Sequence, residues 1–151
     1  FITDLNNDMK NDIVYYWKHD IACFQNQGFG IFTSKLDLYK SMTYAITAVA
    51  IGDLNMDGIK DIVIADYSGN LKYLIGFGNM TFSASHIIKT MIPISYYYNS
   101  IAIADLNEDH LNDIVVTSAN YGKVSFFLNR GNNSLVSFVN FVSLYLQLFN
   151  L

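Results

Sequence analysis

Apolar residues along the chain come in short runs of strand length, and polar turn residues separate these runs. Two of the runs, 44–52 and 100–104, alternate β-branched residues with small ones. Such alternation is typical of a β-strand with two different faces. Because one face carries the small residues Ala48, Ala50 and Gly52, or Ser100, Ala102 and Ala104, we expect these strands to lie where several sheets converge. Residues 1–3 have the pattern of the end of an equivalent strand.

Three apolar runs without alternation follow, at 13–17, 62–65 and 114–117. A continuous apolar run of this length predicts a strand that is buried on both faces. We therefore expect the aromatic residues Tyr15, Tyr16 and Trp17 to pack between neighbouring sheets. The alternative is that they are exposed on the rim of the fold, where aromatic side chains can bind sugars.

Two further strands complete each unit of about 50 residues. Third strands are predicted at 21–24, 71–75 and 124–128. Outer strands are predicted at 35–39 and 86–90, and alternation over 142–148 predicts a strand in the tail rather than a membrane span. Four antiparallel strands per unit indicate an all-β fold, a partial β-propeller of three four-stranded antiparallel blades. The single domain covers 1–151, with approximate repeats at 1–43, 44–95 and 96–151.

One loop pattern recurs between the first two strands of every unit. Positions 1, 3, 5 and 9 of the loop hold Asp, Asn, Asp and Asp in all three copies. The copies start at Asp4, Asp53 and Asp105, so the period is 49 residues and then 52. Three carboxylates in so short a loop repel one another unless a cation lies among them, and calcium prefers oxygen ligands of this kind. The alternative is that these loops are ordinary Asp/Asn turns that bind no metal.

The loops and the glycine-containing segments 28–32 and 76–82 resemble the FG-GAP (VCBS-type) repeats of integrin α-subunit propellers. The resemblance implies up to three calcium ions, each held by the four side chains and by the main-chain carbonyl at position 7. The implied ligands of the first site are Asp4, Asn6, Asp8, Asp12 and the carbonyl of Lys10. Those of the second site are Asp53, Asn55, Asp57, Asp61 and the carbonyl of Ile59. Those of the third site are Asp105, Asn107, Asp109, Asp113 and the carbonyl of Leu111.

Position 6 of the loops departs from the family pattern. The family favours glycine there, whereas this chain has Met9, Gly58 and His110. Because a side chain other than glycine is strained at positive φ, we expect calcium affinity to fall from the second site to the third and then the first. An EF-hand is excluded, since it needs glutamate at position 12 and flanking helices, and this chain has aromatic or aliphatic residues there.

The composition and charge of the chain argue against a nucleic-acid-binding protein and exclude an internal disulfide. The chain has 151 residues, is 52% hydrophobic and carries a formal charge of −4. Nine of its thirteen acidic residues are the aspartates at positions 1, 5 and 9 of the three loops. It has no cluster of lysine or arginine, which argues against a nucleic-acid interface. Cys23 is the sole cysteine, so no internal disulfide forms, and we expect it to be a small buried hydrophobic residue.

Two glycosylation sequons, at Asn79 and Asn132, favour a secreted or cell-surface glycoprotein. We expect no membrane span in this segment. Three blades cannot close a ring that usually needs four to eight, so we expect neighbouring blades outside this segment.

Catalytic motifs are absent from the sequence, which has no nucleophile elbow, no metal-hydrolase histidine pair and no phosphate loop. We therefore expect no enzyme activity. The resemblance implies an extracellular recognition or adhesion module that binds protein or glycan. Two alternatives stay open, namely an accessory or scaffold domain of a secreted enzyme whose catalytic part lies elsewhere, and a purely structural array of repeats.

Overall fold

The computed structural model describes residues 1–88, 98–118, 122–131 and 135–136. The first sheet contains β1, β2, β3 and β6, which span Ile2–Thr3, Asp12–Trp17, Asp20–Phe24 and Leu36–Lys40. The second contains β7, β8, β9 and β10, which span Ile46–Gly52, Asp61–Asp66, Leu71–Leu74 and His86–Ile88. The third contains β11, β12, β13 and β14, which span Ser100–Ala104, Asp113–Ser118, Lys123–Asn129 and Leu135–Val136. A short hairpin, β4 (Asn26–Gly28) and β5 (Ile31–Phe32), lies between β3 and β6.

Neighbouring strands in all three sheets are antiparallel, and each sheet follows the order of the chain. This confirms the predicted all-β fold with three four-stranded antiparallel blades. The predicted tail strand at 142–148 and the end of the outer strand at 89–90 lie outside the described residues. Within the described part of the chain, no helix is long and apolar enough to cross a membrane.

The strand register places the three loops in equivalent positions. Thr3 pairs with Asp12, Gly52 with Asp61, and Ala104 with Asp113. Each loop therefore connects the inner strand of a blade to its second strand, and the aspartate at position 9 opens the second strand. Because the register is the same in each blade, the loops occupy the same end of all three.

Two apolar clusters hold the blades together. One joins the first blade to the second and includes Val14, Ile21 and Ile62. The other joins the second blade to the third and includes Ala48 and Ala50 from the small face of β7. The predicted crowding of that face is confirmed at its end. A Cβ atom added to Gly52 would lie 3.0 Å from Cγ2 of Ile103.

The first blade differs from the prediction along β2. All six residues of β8 are buried, whereas β2 is buried only at Asp12 and Val14. Trp17 is 68% exposed, and Tyr15 and Tyr16 are exposed as well. The prediction that these three aromatic residues pack between sheets is wrong. Among the described residues no sheet covers the face of β2 that holds Tyr15 and Trp17, and Tyr16 is 37% exposed although it shares the face of Val14.

Cys23 confirms its predicted role. Its side chain is fully buried in the cluster between the first and second blades. Desolvation, together with the nearby charge of Asp12, raises the pKa of the thiol to about 11. The thiol is therefore uncharged and packs as an apolar group.

Candidate functional site

The three loops share a backbone with two left-handed residues. Positions 4 and 6 both have positive φ in every loop, at Asn7, Met9, Met56, Gly58, Glu108 and His110. Positive φ at position 6 agrees with the expected strain at Met9 and His110, whose φ angles are 65° and 68°. Sequence reasoning did not predict the left-handed residue at position 4. These turns direct several backbone N–H groups towards the inside of the loop.

The aspartate at position 1 organises each loop by accepting those N–H groups. Its Oδ2 accepts the backbone N–H of position 6 at 2.8 Å in the first loop, 2.9 Å in the second and 2.8 Å in the third. In the first loop, Oδ1 of Asp4 also accepts the N–H groups of Asn6 and Asp8. The side chain at position 1 therefore fixes the loop shape.

The side chains at positions 3 and 5 lie against each other in all three loops. The Nδ2 atom of the asparagine donates to Oδ2 of the aspartate at 3.1, 2.9 and 2.9 Å in chain order. The other oxygen of that aspartate accepts the N–H of position 7. Two of the predicted side-chain ligands are thus brought together in each copy.

The aspartate at position 9 has a different environment. Asp12, Asp61 and Asp113 are fully buried. One carboxylate oxygen accepts the N–H of position 2, at 2.7 to 3.0 Å. The other oxygen accepts an N–H group at the end of the third strand, at 2.7 to 2.9 Å. The donors are Asn26 and Gly76, each two residues beyond its strand, and Asn129, the last residue of its strand. This side chain therefore clamps the loop to the third strand, a role that sequence reasoning missed. The signal available was an aspartate directly before an apolar run.

Electrostatics differ between the buried and the outer carboxylates. Desolvation raises the pKa of Asp61, and the charges of Asp57 and Asp53 raise it further. At Asp105, by contrast, hydrogen bonds from four backbone N–H groups outweigh the effect of desolvation and lower the pKa. The loop backbone thus stabilises the charge at position 1, while position 9 of the second loop experiences like-charge repulsion that a cation would relieve.

The donors in these loops fit calcium in chemical type. All are oxygens, and Oδ1 of Asn6 is buried without a hydrogen-bond partner in the described structure. As arranged, however, no three acidic, histidine or cysteine side chains of the described residues converge closely enough to hold a metal ion. Both oxygens of each position 9 carboxylate already accept hydrogen bonds. The ligand sets, including the carbonyls of Lys10, Ile59 and Leu111, stay predictions.

The first loop contains a feature that the others lack. The Nζ atom of Lys10 lies 3.4 Å from Oδ2 of Asp8, and both side chains are partly exposed. Hydrogen bonds from Asn6 and Lys10 outweigh desolvation and lower the pKa of Asp8. The ammonium group thus lies beside the carboxylate of a predicted ligand.

A pocket of about 350 Å³ lies at the opposite end of the first blade. The exposed indole of Trp17 lines it, together with Asp20, Lys40 and Ser41. His19 also lines it, and the Nδ1 atom of this histidine is buried without a hydrogen-bond partner among the described residues. The pocket therefore combines an aromatic surface with charged and hydroxyl groups.

Known proteins share the repeat and the fold. A family profile for the FG-GAP-like repeat matches residues 4–64 and again 53–116. No curated protein matches the chain. One similar solved structure is that of an Agrocybe aegerita lectin, which is described as recognising non-reducing terminal N-acetylglucosamine. It is 19% identical in sequence, with a TM-score of 0.64. The match covers 87% of this chain and 34% of the lectin. BBS1N in complex with ARL6DN is 16% identical with a TM-score of 0.57, and the match covers 85% of this chain and 39% of that one.

The two solved structures support the fold alone at these identities. The lectin is a β-propeller, so the three blades described above are propeller blades. The chain spans little more than one third of the length of either structure.

Proposed function

The chain belongs to the FG-GAP-like repeat family, and from this premise we propose that it is a calcium-stabilised part of a propeller that recognises a ligand outside the cell. The observation that carries this proposal is the threefold repetition of one oxygen-rich loop at one end of the blades. Calcium in each loop would neutralise carboxylates that otherwise repel one another. The ligand is a glycan or a protein that binds elsewhere on the propeller.

Calcium uptake is the first test. Isothermal titration of the metal-free protein with calcium chloride should release or absorb heat, and calcium should raise the melting temperature because it binds only the folded loops. Asp57→Asn should reduce uptake more than Asp8→Asn, since the first site is already the weakest. Asp37→Asn is the control, because this side chain is 70% exposed and lies outside the loops. A folded protein that neither takes up calcium nor gains stability from it would overturn this part of the proposal.

The pocket at Trp17 favours a glycan as the ligand. An exposed indole can stack on the apolar face of a sugar ring, and the neighbouring Asp20, Lys40 and Ser41 can exchange hydrogen bonds with sugar hydroxyls. The lectin that shares this fold is described as recognising N-acetylglucosamine, so this sugar is the first probe. The pocket is open to solvent, as a site for the end of a glycan chain must be.

Fluorescence reports on this pocket directly, because Trp17 is the only tryptophan of the chain. Titration with N-acetylglucosamine and a panel of other sugars should change the emission in a saturable way. Asp20→Ala should remove the change, whereas Asp37→Ala should not. If every sugar leaves the emission unchanged while calcium still binds, the glycan part fails, a protein becomes the ligand class, and the calcium part stands.

The extracellular location has its own test. Asn79 is exposed, and its Oδ1 accepts the backbone N–H of Thr81 at 3.1 Å within the sequon. Asn132 lies outside the described residues. Expression through a eukaryotic secretory pathway should yield a glycosylated protein, whose apparent mass on a gel falls after treatment with N-glycosidase. Asn79→Gln should reduce this fall in apparent mass. An unmodified, unsecreted product would contradict the proposed location.

A further inference from the structure

The second loop contains a dipeptide with a chemistry of its own, Asp57-Gly58. It is the only place in the sequence where a glycine directly follows an aspartate or an asparagine. Both residues are exposed, although the blade that holds them packs on the first blade at one side and on the third at the other. Their exposure therefore does not depend on what precedes or follows this segment.

Three hydrogen bonds fix the reactive atoms of this dipeptide. The backbone N–H of Gly58 donates to Oδ2 of Asp53 at 2.9 Å. Oδ1 of Asp57 accepts the backbone N–H of Ile59 at 2.7 Å, and Oδ2 accepts Nδ2 of Asn55 at 2.9 Å. The bond to Ile59 turns the carboxyl group of Asp57 towards the main chain that follows it, where Gly58 supplies the first nitrogen. A second carboxylate thus accepts the proton of that nitrogen.

The first and third loops have the same hydrogen bonds but a different residue at position 6. In both, the N–H of position 6 donates to position 1, and the carboxylate at position 5 accepts from positions 3 and 7. Met9 and His110 stand where the second loop has Gly58, and all three have positive φ. A side chain at this position hinders the approach of its own nitrogen to the preceding carboxyl group. Only the second loop lacks that hindrance.

We propose that Asp57-Gly58 is a self-modification site, at which the folded loop converts the aspartate to isoaspartate. The nitrogen of Gly58 attacks Cγ of Asp57 in its protonated form, and the new C–N bond closes a succinimide ring. The N–H proton passes through the carboxylate of Asp53, held as a general base, to the departing hydroxyl group, which leaves as water. Water then adds to the main-chain carbonyl carbon of Asp57, and the bond from this carbon to the nitrogen breaks. The product is an isomer of the original chain, and water is the only co-reactant.

The modification changes the shape of the second loop and leaves the other two as they are. The main chain then runs through Cβ and Cγ of Asp57, so it is one carbon longer between positions 5 and 6. The free carboxylate lies one carbon closer to the main chain, so its bonds to Asn55 and Ile59 lose their geometry. We therefore expect the modified protein to have a lower melting temperature. The glycine that removes strain from position 6 makes this loop alone chemically labile.

Incubation of the folded whole chain at neutral pH and body temperature tests the proposal. A calcium chelator is present, so that the result does not depend on the proposed uptake of calcium. Trypsin places Asp8, Asp57 and Asp109 in three different peptides. Isoaspartate in each peptide is measured by enzymatic methylation and located by electron-transfer fragmentation. We expect the isoaspartate fraction at Asp57 to grow with time, and to stay below detection at the other two.

Exchange of the residue at position 6 gives a matched pair of variants. Gly58→Met makes the second loop like the first and should abolish the isoaspartate, and a Cβ atom at Gly58 would meet no other atom within 4 Å. Met9→Gly should create isoaspartate at Asp8, because the same hydrogen bonds surround that carboxylate. Asp57→Glu is the control of equal charge, since its longer side chain would have to close a larger ring. Circular dichroism checks that each variant is folded.

Asp53→Asn tests the proton acceptor. The variant keeps an oxygen that can accept the N–H of Gly58 but loses the base, so isomerisation in the folded protein should slow roughly a hundredfold. In urea, where the loop is not formed, variant and wild type should react equally fast. An unchanged rate in the folded variant would overturn the role of Asp53.

Three results would overturn the proposal as a whole. The first is a folded wild-type chain without isoaspartate at Asp57, and the second is an equal fraction at Asp8, Asp57 and Asp109. The third is a faster reaction of the wild type in urea than in the fold, which would mean that the loop protects the dipeptide. None of these results bears on calcium uptake, which the titration described above measures separately.

Discussion

The strands β2 and β8 begin with the same three residues, Asp-Ile-Val, but they have different surroundings. Ile62 of β8 is fully buried between two blades, whereas Ile13 of β2 is 40% exposed. Both segments form the second strand of a blade with the same register. The comparison shows that the local sequence specifies the strand, while burial depends on whether a blade lies on each side.

The ends of the two strands differ in chemistry. β8 ends at Asp66, which is buried and accepts a hydrogen bond from Nζ of Lys72 at 2.8 Å. β2 ends at the exposed Trp17. The central blade thus contains a buried ion pair, and the first blade has an aromatic surface pocket at the same end. Substitutions in the two blades separate the two environments.

Removal of the buried ammonium group should have the largest effect. Lys72→Met leaves the charge of Asp66 buried without its partner, so we expect the free energy of unfolding at neutral pH to fall by roughly 4 kcal/mol. Lys40→Met is the control in the first blade, because Lys40 is exposed and lies 3.9 Å from Asp20. It should cost less than about 1 kcal/mol in urea unfolding. Equal losses would contradict the buried environment of the pair.

The same pair has a pH dependence with a definite sign. Burial alone raises the pKa of Asp66, but hydrogen bonds from Lys72 and Ser68 outweigh it and hold the pKa below the usual value of 3.8. The pair therefore stabilises the fold above pH 3.8 and loses this contribution as the pH falls through the lower pKa of the folded state. Urea unfolding across this range should show the wild-type advantage over Lys72→Met shrinking as the pH falls.

Truncation of the shared isoleucine should give the next largest difference. We expect Ile62→Ala to lower the free energy of unfolding by roughly 3 kcal/mol, because it leaves a cavity between two blades. Ile13→Ala should cost less than about 1 kcal/mol, since solvent already reaches this side chain. Both losses are measured by urea unfolding. Similar losses at both positions would show that something covers the first blade.

Loss of the buried carboxylate in the second loop should have a smaller effect. Asp61→Ala removes hydrogen bonds to the N–H groups of Leu54 and Gly76, but it also removes a charge that Asp57 and Asp53 repel. We expect a net loss of about 2 kcal/mol in urea unfolding with a calcium chelator. Asp57→Ala should cost less than about 1 kcal/mol under the same conditions, because its side chain is exposed. A larger loss for Asp57→Ala would contradict the clamp role of position 9.

The left-handed residue at position 6 should give the smallest effect. Met9→Gly relieves a side chain held at positive φ, so we expect the free energy of unfolding to rise by about 1 kcal/mol. Gly58→Ala should lower it by about the same amount. Thermal unfolding of both variants measures the difference. A destabilised Met9→Gly would indicate that the methionine side chain makes a contact more valuable than the relief of strain.

Much of the fold follows from the sequence. Alternation in β7, the repeated aspartates and the apolar runs predicted the strands, their number per blade and the position of each loop. The exposure of Trp17 was only the alternative interpretation, because exposure depends on which neighbouring sheet is present and not on the local pattern. The buried clamp at Asp61 was also missed, since its second hydrogen bond comes from Gly76, which is 15 residues further along the chain and lies two residues beyond β9.

The equivalence of Leu5, Leu54 and Leu106 has a consequence for how genes that encode this repeat can gain further repeats by duplication. Each leucine stands at the same loop position, and the first two are buried by the blade that follows. Duplication of one segment of about 50 residues would add a blade whose two surfaces already match those on either side. Proteins built from this repeat can therefore change in length by whole units without the evolution of a new contact.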